Sequence, residues 1–170
     1  SLHDALPIFI KPFGPSIVKL KMLKDLVNKL NTYVDKITSD EKKSSELDYG
    51  AQLAGMVTQE FTIEKNFTQE AGLRQFLAGA CEKWIELIYR KKISKFEIIS
   101  SWIVRQFKDE YNPTHWHGGH ISGVGYLKVP NNLGSTKKGK EKNNINGCLQ
   151  LIHGSKMLDR KSTRLNSSHT

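Results

Sequence analysis

Helical and strand-like periodicities occupy different stretches of this chain, and that separation most constrains what it can fold into. Leu23, Leu26, Val27, Leu30, Tyr33, Val34 and Ile37 recur at three- and four-residue spacing with lysines and asparagines between them. This predicts an amphipathic helix ending near Thr38. Leu73, Phe76, Leu77, Ala80, Trp84, Leu87 and Ile88 repeat the pattern and predict a second helix within Gln69–Arg90, its apolar stripe packed into a core. The charged stretch Asp40–Asp48 between them is expected to be a surface loop. Strand patterns dominate elsewhere. Val57–Ile63 alternates with Phe61 and Ile63 on one face and Thr58, Glu60 and Thr62 on the other. Lys95–Phe107 carries apolar residues on both faces, as a strand buried between layers would. Ile121–Val129 and Cys148–His153 are further strand candidates, and Phe9–Met22, broken by Pro12 and Gly14-Pro15, suits an edge strand or extended lead-in. Helices first and strands later, with no βαβ alternation, predict an α+β fold with an antiparallel β core.

At 170 residues and 38% hydrophobic content, one domain with a sizeable core is expected. No run approaches the roughly 18 apolar residues that would span a bilayer, so the expectation is no membrane association and a cytoplasmic setting. Cys81 lies in a helical pattern and Cys148 in a strand pattern, which predicts two reduced thiols. The formal net charge of +9 raises the question of a nucleic-acid partner. The positive charges are spread along the chain except for the run Lys137–Lys142, and no aromatic residues interleave with that run as a stacking platform requires. A solvated loop within Pro130–Asn146 is the better reading, and nucleic acid the lesser one.

The chemistry concentrates in Tyr111–Pro130, where three of the six histidines fall within six positions. In an extended segment the imidazoles of His115 and His117 leave the same face, roughly 7 Å apart at Cα, and can converge on one metal ion. Trp116 then faces the other way. A second pairing, His117 with His120, uses Gly118-Gly119 as a turn that brings His120 back. For His120 and His153 taken singly, an ordinary structural role is the larger share.

The wording of this segment resembles a known family. Asn112-Pro-x-His115-x-His117-Gly-Gly followed by Ser122-Gly-Val-x-Tyr126-Leu-Lys-Val-Pro130 is similar to the 2-oxoglutarate- and Fe(II)-dependent oxygenases of marine phages and bacteria, a branch of the prolyl-hydroxylase-like superfamily. The resemblance runs from about Gly50 to Met157 and takes in the segments Met56–Phe61, Lys95–Phe107 and Gly147–Lys156. It implies a double-stranded β-helix, or jelly roll, supported by the N-terminal helices. It also implies a hydroxylase using dioxygen, Fe(II) and 2-oxoglutarate, with ascorbate as reductant, on an unknown substrate. The metal ligands come from His115, His117 and His120, and Arg105 and Tyr126 are candidates for lining the oxo-acid pocket. The superfamily's usual first pair is His-x-Asp or His-x-Glu, and this chain has His-x-His, one negative charge fewer. Two other classes follow from the same residues: a three-histidine, cupin-like dioxygenase that needs no oxo-acid, and a basic, non-enzymatic phage protein that binds nucleic acid.

Ser1–Ile8 and Asp159–His169 read as translations of short-read sequencing adapters. The expected organisation is therefore an incomplete oxygenase domain at 9–158, with foreign tails at 1–8 and 159–170. The resemblance implies that the distal iron-binding histidine and the oxo-acid arginine belong C-terminal to residue 158, so His169 and Arg164 are not assigned to those roles. A barrel lacking its C-terminal strands would be catalytically inactive.

Overall fold

The computed structural model describes residues 8–10, 14–134 and 146–153, and the backbone of 161–165. These divide into two compact units, one of residues 22–125 and one of 1–21 with 126–170. The larger unit holds all the helices among the described residues. Helix α1 spans Lys24–Thr38, with Asp25 in its first turn and Lys36 in its last, signs that suit the helix dipole. Its stripe Leu26, Leu30, Tyr33, Val34 and Ile37 is buried, as the periodicity predicts. The rest of the core comes from Phe61, Ile63, Ala71, Leu73 and Ile103. The Tyr33 ring stacks on Phe67 with centroids 3.8 Å apart.

The charged stretch after α1 is not a loop. Helix α2 occupies Glu41–Glu46, and the Asp40 carboxylate accepts the backbone N–H of Lys43 at 3.1 Å. That capping geometry, together with Ser44 Oγ donating to the Ile37 carbonyl at 2.7 Å, gives a wholly polar sequence reason enough to turn. The second predicted helix is α4 at Leu73–Tyr89, and a short helix that the periodicity does not predict, α3 at Lys65–Glu70, precedes it. Gly72 separates them at φ 86°, a left-handed conformation that a side chain disfavours. Only Leu73 of α4 is fully buried, so its apolar stripe is not the core face that the spacing predicts.

Among the described residues the sheet structure is three two-stranded antiparallel ladders. In the larger unit β3 (Gln59–Thr62) pairs with β4 (Trp102–Arg105), Gln59 opposite Arg105 and Thr62 opposite Trp102. The strand expected over Lys95–Phe107 is thus confined to its middle, and Ile99 is 75% exposed rather than buried between layers. In the smaller unit β1 (Ile8–Ile10) pairs with β2 (Ile17–Lys19), and β5 (Leu149–His153) with β6 (Lys161–Leu165). Strand β6 falls in the stretch read from sequence as a foreign tail. The mixture of helices and small antiparallel ladders is α+β. The strand expected at Ile121–Val129 does not form, because no neighbouring strand offers that segment a ladder. Residues 1–7, 135–145, 154–160 and 166–170, over which the tails and the lysine-rich loop were expected, lie outside the described residues.

Candidate metal centre

The segment that carries the histidines leaves β4 at Arg105 and is pinned at its start. The Glu110 carboxylate accepts the backbone N–H groups of Phe107 (2.7 Å) and Thr58 (3.1 Å) and the Thr58 hydroxyl (2.7 Å). These donors hold its pKa below the ordinary carboxylate value, the Phe107 bond foremost. One residue further, the Met56 N–H donates to the Tyr111 carbonyl at 2.9 Å. The chain is therefore fixed against the stretch preceding β3 just before His115.

Beyond that anchor the rings of His115 and His117 meet, with centroids 4.7 Å apart and their Nε2 atoms 2.7 Å apart. His115 Nδ1 lies 2.7 Å from the Pro113 carbonyl. A carbonyl can only accept, so His115 holds its proton on Nδ1 and, when neutral, turns the Nε2 lone pair toward His117. His117 in turn stacks on Trp102 of β4, centroids 5.4 Å apart and planes within 10°. Both histidines are exposed, yet partial burial, ahead of repulsion from a charged His115, holds the His117 pKa below its ordinary 6.5. A neutral imidazole is the form that binds metals. Trp116 between the two histidines is 87% exposed.

The other sequence candidates are placed elsewhere. Gly119 does adopt a turn conformation, φ 91°, but His120 stands exposed with no bonded partner among the described residues. Arg105 donates from Nη1 to Gln59 Oε1 at 2.6 Å, its cross-strand partner, and its guanidinium lies over Phe107, 5.4 Å from the ring centroid. Tyr126 belongs to the smaller unit, where burial and then the proximity of Cys148 push its hydroxyl pKa up. His153 is in that unit too, its ring against the backbone of Gly14. Neither cysteine is in a disulfide among the described residues, both are half-buried, and burial raises the Cys81 pKa.

Sequence reasoning missed Glu60. It lies on β3 with 2% of its surface exposed, and its Oε2 finds no hydrogen-bond partner. Burial, and then the charges of Asp48 and Glu110, raise its pKa, while the nearby His115 acts the other way. The signal that was available is glycine at 50 and 55: a Cβ on Gly55 would approach Glu60 Oε1 to 3.1 Å, and one on Gly50 would lie 3.8 Å from Oε2.

His115 and His117 fit two positions around a single ion, since their facing nitrogens already share one proton's space. Among the described residues no set of three histidine, cysteine, aspartate or glutamate side chains is gathered to hold a metal. Residues 100–168, less than half of the chain, match the model of a family described as "Putative 2OG-Fe(II) oxygenase". This supports the 2-oxoglutarate/Fe(II) oxygenase superfamily for the segment that contains the histidine pair, and with it dioxygen, Fe(II) and 2-oxoglutarate as its chemistry. No curated protein and no solved structure matches the chain. No helix among the described residues is long and apolar enough to cross a membrane.

Proposed function

We propose that this chain carries the metal-binding segment of a 2-oxoglutarate- and Fe(II)-dependent hydroxylase of the marine phage or bacterial type, with His115 and His117 as two of the iron ligands. The observation that carries this is the 2.7 Å approach of the two Nε2 atoms, with His115 oriented through Nδ1 by the Pro113 carbonyl. A backbone carbonyl behind a histidine is the usual way a protein fixes the tautomer and aim of a metal-binding imidazole. Bound Fe(II) with 2-oxoglutarate would supply the activation of dioxygen, with ascorbate keeping the metal reduced. The chain's own part is to present two imidazole nitrogens to one point and hold the start of the loop through Glu110 and Tyr111.

The jelly roll belongs to this reading as the architecture of the whole oxygenase. So do the remaining ligand and the oxo-acid arginine, which we assign to sequence beyond residue 158, and a cytoplasmic setting. Residues 9–158 are the oxygenase-derived part, and 1–8 and 159–170 are additions to it. The 170-residue chain is then a metal binder that releases no succinate.

Anaerobic titration with Fe(II) tests the ligands. In the protein with its genomic flanks restored, His115→Ala and His117→Ala should each abolish tight binding while the far-ultraviolet circular dichroism spectrum is kept, and His153→Ala should bind like the parent. A His115→Ala chain that still binds iron as the parent does would overturn the pairing. Succinate release from 2-oxoglutarate by the 170-residue chain would overturn the inactivity. No succinate from a protein in which the genomic flanks of this segment are restored would overturn the oxygenase reading itself.

A further inference from the structure

Trp102 of β4 stacks on the histidine pair through His117. It sits on β4 opposite Thr62, half-buried, with Tyr49 on another side at 6.0 Å between centroids and a tilt of 39°. Its indole stacks on the His117 imidazole, centroids 5.4 Å apart and planes within 10°. The two histidines are otherwise exposed on a segment without secondary structure. His115 is aimed by a hydrogen bond to the Pro113 carbonyl. For His117 the only other described polar partner is His115 itself. An imidazole in that situation rotates freely about its side-chain bonds unless a flat neighbour fixes its plane, and offset-stacked aromatic pairs supply that restraint.

We infer that Trp102 is a positioning residue for the metal site: its indole face sets the plane of the His117 ring so that Nε2 points at the ion that His115 also binds. The inference rests on the reading of His115 and His117 as metal ligands. Trp102 touches neither metal nor substrate and acts through His117 alone. Outer partners that orient metal ligands are commonly worth on the order of tenfold or more in metal affinity.

Co(II), a spectroscopic stand-in for Fe(II), is the probe, titrated anaerobically into the 170-residue chain while its visible absorption is followed. Trp102→Leu removes the flat face and keeps an apolar side chain on β4; Trp102→Phe keeps a ring. The leucine variant should bind Co(II) about tenfold more weakly with an altered absorption band, and the phenylalanine variant should recover most of the affinity and the parent band. Leucine and phenylalanine variants that bind Co(II) like the parent, in a series where His115→Ala has lost binding, would overturn the positioning role and leave the ligand pair standing. A parent that binds no Co(II), or a His115→Ala chain that binds normally, would overturn the ligand pair and the positioning role together. Should Trp102→Leu fail to fold, the parent decides by proton magnetic resonance. The ring protons of His117 should be shifted upfield by the indole and broadened by Co(II); unshifted protons would overturn the stack.

Discussion

Glu60 shows how far a single side chain can depart from its sequence pattern. Alternation put it on the polar face of β3 with Thr58 and Thr62, yet it is among the most buried residues of the chain. The reason is a fold-back of the preceding segment: the Tyr49 N–H donates to the Glu60 carbonyl at 2.8 Å, and Asp48 bridges to Phe61. A carboxyl with an unpartnered oxygen in that setting is favoured in its protonated form. Its folded-state pKa is raised above the ordinary 4.5, so the stability it confers is present below about pH 4.5 and lost as pH rises through the folded value. Glu60→Gln keeps the shape without the charge. It should raise the unfolding free energy at pH 8 by about 1–3 kcal/mol, the usual cost of an unsatisfied buried polar group, and the gain should vanish near pH 4. Urea melts of both chains from pH 4 to 8 measure this, and a pH-independent difference would refute it. His115 and His117, by contrast, were legible as a candidate pair from spacing alone. Their spacing is local, but what holds them is not: Thr58 and Met56 anchor the start of the segment, and Trp102 of β4 stacks on His117.

At the level of elements, α1 was readable almost to the residue because every position of its stripe is buried against one core. The apolar stripe from Leu73 to Ile88 likewise falls within α4, but the short helix before it went unread. Periodicity cannot register a left-handed residue, and Gly72 at φ 86° separates α3 from α4 just ahead of the first residue of that stripe. Helix α2 was missed for the opposite reason: it buries nothing, so it has no apolar period, and rests on the Asp40 cap. The break makes a clean test, because a Cβ at Gly72 would meet nothing within 4 Å. Any cost of Gly72→Ala is therefore backbone strain, about 1–2 kcal/mol for a left-handed alanine. Gly72→Asn should cost clearly less, since asparagine tolerates that region. Thermal melts of the two variants should fall in that order, and equal destabilisation would point to a steric cause in place of the backbone.

Across the whole chain the strands were the least legible part, because a strand pattern states only that a segment fits a half-buried surface and a ladder needs a partner that the local sequence does not name. Ile121–Val129 has the alternation and forms no strand, with Val124 58% exposed. Residues 161–165 were given no structure and pair with Leu149–His153 in register, Leu151 opposite Thr163. Cooperative structure in the larger unit is therefore expected to centre on α1 and the β3–β4 ladder, whose side chains Leu30, Ile37, Phe61 and Ile103 are all at most 8% exposed. Local opening needs little energy where few apolar groups are buried, and isolated two-stranded ladders are marginal in water. Amide hydrogen exchange on the 170-residue chain should therefore run in three tiers. Amides of α1 and of β3 and β4 should exchange slowest, those of β5 and β6 faster, and those of 121–129 within the dead time of a manual experiment. Protection of 121–129 equal to that of α1 would mean that this segment is paired in solution, and the strand read from its alternation would then be restored.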